Sequence, residues 1–195
     1  MRTRAAVLFK PGKPLRIMEL ELPKLIPGQV LVRVAFSGIC RSQLMEVRGQ
    51  RGPDRYLPHL LGHEGAGVVQ SVGKGVTKVK PGDHVVMTWI KGKGMDAPGP
   101  VYVDGKQRIN AGSITTFSTY TIVAENRCVR VPRGVRLDVA ALFGCALPTG
   151  AGIVMNELKP RPRSKVAVFG VGGIGLSAVL ALKLCRCSLI AAVDR

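Results

Sequence analysis

A histidine and a glutamate stand side by side among glycines in Gly62-His63-Glu64-Gly65-Ala66-Gly67. The apolar run Leu57-Pro58-His59-Leu60-Leu61 precedes them and Val68-Val69 follow, which places the pair where a loop enters a strand. Cys40 lies upstream in Gly38-Ile39-Cys40-Arg41-Ser42, and Cys145 lies downstream in Phe143-Gly144-Cys145-Ala146. Two thiolates and one imidazole fit three corners of a zinc tetrahedron and leave the fourth for water or substrate. A closed structural site needs four protein ligands, so a set of three points toward catalysis. The three residues are scattered and lack a compact CxxC, so spacing alone leaves open whether they meet.

A second group of residues suits a dinucleotide. The apolar stretch Lys165-Val166-Ala167-Val168-Phe169 reads as a buried strand, and Gly170-Val171-Gly172-Gly173-Ile174-Gly175 follows it directly. Residues 176–184 read as an apolar helix, residues 188–193 as a further strand, and Asp194 closes that strand. Gly170 permits the tight turn, Gly172 lets the backbone approach a pyrophosphate, and Gly175 lets helix pack on strand. The N–H groups at the helix start, together with its partial positive charge, favour phosphate. A carboxylate at Asp194 can accept from ribose hydroxyls and repels a 2′-phosphate, which favours NAD over NADP. Arg195 beside it softens that preference without reversing it.

The elements that position these residues are legible in outline. Residues 4–9 and 15–22 read as short strands around the turn Lys10-Pro11-Gly12-Lys13-Pro14. Residues 30–36 form a β-branched, buried-strand pattern that delivers Cys40, and residues 42–47 suggest a short helix. Strand character returns at 68–73, 84–87, 117–123 and 128–131, and the Pro-Gly turns between strands suggest a small β-barrel or distorted sandwich. Residues 91–113 read as an irregular, Gly-rich lobe. The pattern becomes helical at 137–143 and 150–158, with a loop expected around Cys145 and Pro148. Cys128 is expected at a strand edge, Cys185 and Cys187 at a helix-to-strand turn, and His59 and His84 in turns or at the surface.

Composition limits the alternatives. The chain has 195 residues, enough for one domain or one plus part of another, with 46% hydrophobic and 21% charged residues. Five cysteines without framework spacing, and no secretory signal, indicate reduced thiols and a cytoplasmic location. The formal charge is +17, but the Lys and Arg residues form no long run and have no interleaved aromatic platform. Neither a nucleic-acid partner nor a membrane surface is indicated by that pattern. Residues 166–182 carry no charge, yet their clustered glycines fit strand-turn-helix better than a membrane span.

Taken together, Gly38-Ile39-Cys40-Arg41-Ser42, Gly62 to Gly67, Pro81-Gly82-Asp83, Gly144-Cys145 with Thr149-Gly150, and Gly170 to Gly175 resemble the zinc-containing alcohol dehydrogenases. These belong to the medium-chain dehydrogenase/reductase superfamily, and the motifs occur in the family's order over essentially the whole chain. The resemblance implies a GroES-like β-barrel catalytic domain at 1–158, incomplete at its C-terminal return. The first β-α-β unit of a Rossmann nucleotide-binding domain would follow at 159–195. It implies one catalytic zinc on Cys40, His63 and Cys145, with Glu64 behind it as a carboxylate partner or transient ligand. Ser42 would receive the alcohol proton, Arg41 would contact the cofactor pyrophosphate, and Thr149 would line the nicotinamide pocket. NAD would rest on Gly170, Val171, Gly172, Gly173, Ile174, Gly175 and Asp194.

The implied activity is hydride transfer from an alcohol or polyol to NAD, giving aldehyde or ketone. The implied partner is a small alcohol or aldehyde, and the complete protein is expected to be a homo-oligomer. Three departures matter: Gln43 replaces an Asp that orients the zinc-binding imidazole, Met45 replaces a relay histidine found in some relatives, and residues 91–113 lack the cysteines of a structural zinc. No structural zinc is therefore expected. The chain ends after one strand-helix-strand unit, whereas family members continue, so a catalytically silent zinc-binding fragment completed by a partner is the alternative. A basic nucleic-acid-binding protein is less supported. Cys40, His63 and Cys145 together argue against a zinc-free quinone reductase of the same superfamily.

Overall fold

The computed structural model describes residues 1–195. In chain order its elements are β1 (Arg2–Leu8), β2 (Arg16–Glu21), β3 (Gln29–Ser37), α1 (Arg41–Val47), β4 (His59–Leu60), β5 (Glu64–Val72), β6 (His84–Thr88) and β7 (Val101–Asp104). There follow β8 (Gln107–Asn110), β9 (Tyr120–Ala124), β10 (Cys128–Arg130), α2 (Leu137–Ala141), α3 (Ala146–Gly152), β11 (Lys165–Phe169), α4 (Gly173–Leu184) and β12 (Leu189–Val193). Two compact units result, Met1–Gly144 and Cys145–Arg195. Packing divides the chain earlier than the position 158 read from the sequence, because α3 packs on α4 and so joins the second unit.

In the first unit a closed barrel of order β1-β2-β7-β8-β4 accompanies a five-stranded sheet of order β10-β6-β5-β3-β9. The expected small barrel is thus present. The β-branched alternation of β3 sends Val30 and Val32 inward, where they meet Val69, Val85, Met87 and Val123. Fully burying such a side chain contributes about 1.5–3 kcal/mol each. β3 pairs with β5, with irregularities between Leu31 and Val32 and between Val34 and Phe36, the second of them near the strand ends that lead to Cys40 and His63.

Three sequence expectations are corrected here. Residues 91–113 are not irregular throughout, since β7 and β8 form an antiparallel hairpin that completes the barrel. The signal was the two-residue turn Gly105-Lys106, whose glycine sits at φ 57°. The Tyr102 side chain of this hairpin is fully buried and its hydroxyl accepts from Ile122 N at 3.1 Å. His59 is neither in a turn nor at the surface; it lies in β4, 7% exposed. Pro148 lies inside α3, in its first turn, where a missing N–H costs no hydrogen bond.

In the second unit β11 pairs parallel with β12, with α4 as the crossover between them. Gly170 at φ 89° makes the turn after β11. At Gly175 an added Cβ would collide with the carbonyl oxygen of Gly170, so only hydrogen fits that helix-on-turn approach. α4 starts at Gly173, three residues before the expected start, with Gly172 as its N-cap. Val154, Ala181 and Leu182 form the buried cluster of this unit. No single helix is long and apolar enough to cross a membrane.

Candidate metal centre

Cys40 reaches the site because β3 ends at Ser37 and α1 begins at Arg41, leaving Cys40 as the helix N-cap. The turn before it is fastened to the His63 segment by several hydrogen bonds. Gly38 N donates to Glu64 O at 3.1 Å, and the Ser37 hydroxyl donates to the same carbonyl at 3.1 Å. The Ser37 and Thr116 hydroxyls also meet at 2.7 Å, so with the Ser37 proton on the carbonyl Thr116 donates to Ser37 Oγ. A Cβ at Gly38 would stand 2.7 Å from the Glu64 carboxyl, so glycine permits this close approach.

His63 is placed from the other side. Gly62, at φ 94°, turns the chain between β4 and β5, and an added Cβ there would strike Phe117 at 2.8 Å. Gly144 is pressed against the same segment: its missing Cβ would lie 2.6 Å from both Glu64 Cβ and Met87 O. The buried Thr88 hydroxyl donates to Gly144 O at 2.7 Å, which fixes the peptide leading directly into Cys145. With those constraints in place, one sulfur each from Cys40 and Cys145 and one ring nitrogen of His63 all lie within 4.8 Å of one another. Spacing alone left their meeting open; the three form a group that could hold a metal ion.

The donor set suits zinc. Thiolate and imidazole are the ligands of tetrahedral zinc sites, and coordination requires a neutral ring. Burial, reinforced by the charge of Arg51, pushes the His63 pKa below its ordinary value, which keeps the imidazole neutral. Gln43, 3% exposed on α1, links two of the donors: its Oε1 accepts from Cys40 N at 3.0 Å and its Nε2 stands 2.6 Å from His63 Nδ1. The departure from Asp therefore leaves an amide bridging Cys40 and His63. Glu64 is buried at 3% exposure with its carboxyl beside Gly38, and it is not one of the three converging donors. Ser42 lies partly buried in the first turn of α1, and Arg41 beside it is exposed.

The sequence reading missed the supporting hydroxyls of Ser37, Thr88 and Thr116, which carry no motif and bond chiefly to backbone. A cavity of about 310 Å³ opens beside His63, walled by Gln43, Glu46, His59, Leu61 and Ile114 among others.

The second unit holds the remaining predicted residues. Thr149 Oγ1 donates to Cys145 O at 2.7 Å, one turn back in its own helix. Val171 N donates to Asp194 Oδ2 at 2.6 Å and Arg195 N donates to Oδ1 at 2.8 Å. Those two backbone donors hold the exposed Asp194 carboxyl below its ordinary pKa and keep it ionised. Gly172, Gly173 and Ile174 stand at the start of α4, with their N–H groups in the first turn.

A family model described as alcohol dehydrogenase GroES-like domain matches residues 26–133. The chain is 36% identical, over an alignment of 219 positions, to the S-(hydroxymethyl)glutathione dehydrogenases of Photobacterium damsela subsp. piscicida and of Escherichia coli strains, with all of this chain and 59% of each relative covered. Among solved structures, an alcohol dehydrogenase zinc-binding domain protein from Burkholderia ambifaria matches with a TM-score of 0.91 at 31% identity. Benzyl alcohol dehydrogenase from Acinetobacter calcoaceticus matches with a TM-score of 0.86 at 31% identity. Each covers the whole of this chain and 59% of the solved one. The chain thus spans about three-fifths of the length of these relatives. By the family match over more than half its length, this chain belongs to the alcohol dehydrogenase GroES-like domain family.

Proposed function

We propose that this chain carries the zinc-binding portion, and the start of the NAD-binding portion, of an oxidoreductase that transfers a hydride from an alcohol or polyol to NAD. The observation that carries the reading is the convergence of Cys40, His63 and Cys145. When bound there, zinc supplies Lewis-acid polarisation of an alcohol oxygen and lowers the pKa of that alcohol.

The chain's own residues do the rest. Cys40 and Cys145 give up their protons on metal loading, and His63 offers a neutral ring nitrogen. Ser42 takes the proton released by the alcohol, from its place two residues after Cys40. Glu64 contributes negative charge close to the donor set. Arg41 offers an exposed guanidinium to an anionic cofactor, and Thr149 lines the nicotinamide end. The N–H groups around Gly172 and Ile174 receive pyrophosphate, and Asp194 selects the ribose hydroxyls of NAD.

Metal content per chain, followed by a hydride-transfer assay with NAD and a panel of alcohols, tests this. One zinc per chain in the thiolate site, abolished by Cys145→Ala, together with NADH formation on at least one alcohol, is the expected result. Absence of zinc at Cys40 and Cys145 overturns the metal assignment. Full occupancy with no NADH from any alcohol overturns the activity.

A further inference from the structure

At the boundary between the cavity beside His63 and an adjoining one stands a second group of donors that the zinc set does not use. Glu46 from the last turn of α1, Asp54 from the loop that follows and His59 of β4 bring one ligand atom each within 4.8 Å of one another. Asp54 Oδ2 stands 2.7 Å from His59 Nε2, and Glu46 Oε1 stands 3.8 Å from the same nitrogen. His59 itself is 7% exposed.

The other ring nitrogen fixes what Nε2 can do. His59 Nδ1 lies 2.9 Å from Leu60 O, and a carbonyl only accepts, so Nδ1 carries a proton. That bond sets the tautomer and aims Nε2 at the two carboxylates. Imidazoles that bind metals are held in this way, with the second ring N–H on a carbonyl or carboxylate.

Charge decides what sits at Nε2. A bare lone pair facing the Asp54 carboxylate is repulsive, so a positive charge belongs there. A proton supplies one charge and leaves one of the two carboxylates uncompensated; a dication with neutral His59 leaves none. The other charged groups on the adjoining cavity of about 250 Å³ are Arg51 and Arg55. Arg55 is turned onto Tyr56, donating to its hydroxyl at 2.8 Å with the guanidinium 5.0 Å from the ring centre. The charge of Arg51 is felt at His63.

We propose that Glu46, Asp54 and His59 form a binding site for a divalent cation of the zinc or manganese class, separate from Cys40, His63 and Cys145. One nitrogen and two carboxylates without sulfur suit these borderline-to-hard ions. Ligands about 2.0–2.2 Å from one ion lie about 3 Å apart, which the two observed separations bracket. Glu46 lines both cavities, so remaining coordination positions face open space that water can fill.

Cobalt titration of the metal-free full-length chain separates this site from the thiolate site. Two equivalents are expected, one with the intense thiolate-to-cobalt absorption of Cys40 and Cys145 and one without it. Asp54→Asn and His59→Ala should each reduce the stoichiometry from two to one while the thiolate band persists, which also reports that the variants remain folded. Cys40→Ala should remove the band and leave the sulfur-free equivalent. A wild-type chain that takes up only the thiolate-bound equivalent overturns the proposal, as does retention of both equivalents in Asp54→Asn and His59→Ala. A sulfur-free equivalent without any thiolate band supports this site and instead refutes the zinc assignment under Proposed function.

Discussion

At the scale of single residues, Gln43 is the departure from the resembled family pattern that touches two of the three donors. A zinc-bound imidazole that uses Nε2 carries its proton on Nδ1 and needs an acceptor there. Gln43 presents its NH₂ to Nδ1 because its oxygen is taken by Cys40 N. Loading the metal therefore requires the amide to turn over, at the cost of the Cys40 hydrogen bond. Gln43→Asp restores an acceptor and should tighten zinc binding by about 10–100-fold, the range that outer partners of metal ligands command. Gln43→Ala should loosen it in the opposite direction. Competition with a chromophoric chelator measures both. The ligands themselves were legible because Cys, His and Gly stand out in a sequence. The orientation of Gln43 was not, because an amide's two ends look alike until a backbone N–H claims one of them.

At the scale of elements, a glycine contact fixes the approach to Cys145 and a buried carboxylate fixes a loop on the sheet. Gly144→Ala would push a methyl into Glu64 and Met87 O. Overpacking of this kind costs about 1–3 kcal/mol, and here it should also displace Cys145. Chemical denaturation and zinc content together test it, with both expected to fall. Glu125, 1% exposed, accepts from Thr77 N at 2.6 Å, from Lys78 N and from Met95 N at 2.7 Å, and so ties the 91–97 segment to the sheet.

Burial alone would raise the Glu125 pKa, but these three donors outweigh it and hold the carboxyl below its ordinary range. A depressed carboxylate pKa contributes stability that is complete above the unfolded value and is lost as pH falls through the folded one. Glu125→Gln should accordingly cost about 1.5–3 kcal/mol near neutral pH, with the difference from wild type shrinking below about pH 4. Urea midpoints at the two pH values check the sign. The sequence showed this segment only as glycines and charges. Its order comes from a carboxylate about thirty positions later, a long-range contact that no local pattern encodes.

At the scale of the whole molecule, the two units differ in how much they bury. The first packs several clusters of fully buried aliphatic side chains, whereas the second rests on Val154, Ala181 and Leu182 beneath a two-stranded sheet. In the second unit Phe169 is 80% exposed and Leu184 is 74% exposed. Local opening follows buried apolar contact, so amides of β11 and β12 should exchange orders of magnitude faster than those of β3 and β5. Hydrogen exchange resolved by peptide would show equal protection if the units instead opened together. The strand-turn-helix-strand order of this region was legible in the sequence because glycine spacing and a short apolar run are local signals. The barrel's closure by the 101–110 hairpin was not, because the two residues of the turn are the whole of its local signature.

Cys128 has a use of its own. Its side chain is wholly buried, and burial pushes its thiol pKa up to about 12, so an alkylating reagent meets almost no thiolate there until the chain unfolds. Cys40, Cys185 and Cys187 are half-buried and within reach of a labelling reagent, Cys145 is buried, and Cys40 and Cys145 belong to the proposed donor set. Intact mass after brief alkylation thus becomes a ledger of metal occupancy. If the proposed donor set takes up metal, loading should withdraw Cys40 from the label, and modification of Cys128 marks molecules that have lost their fold.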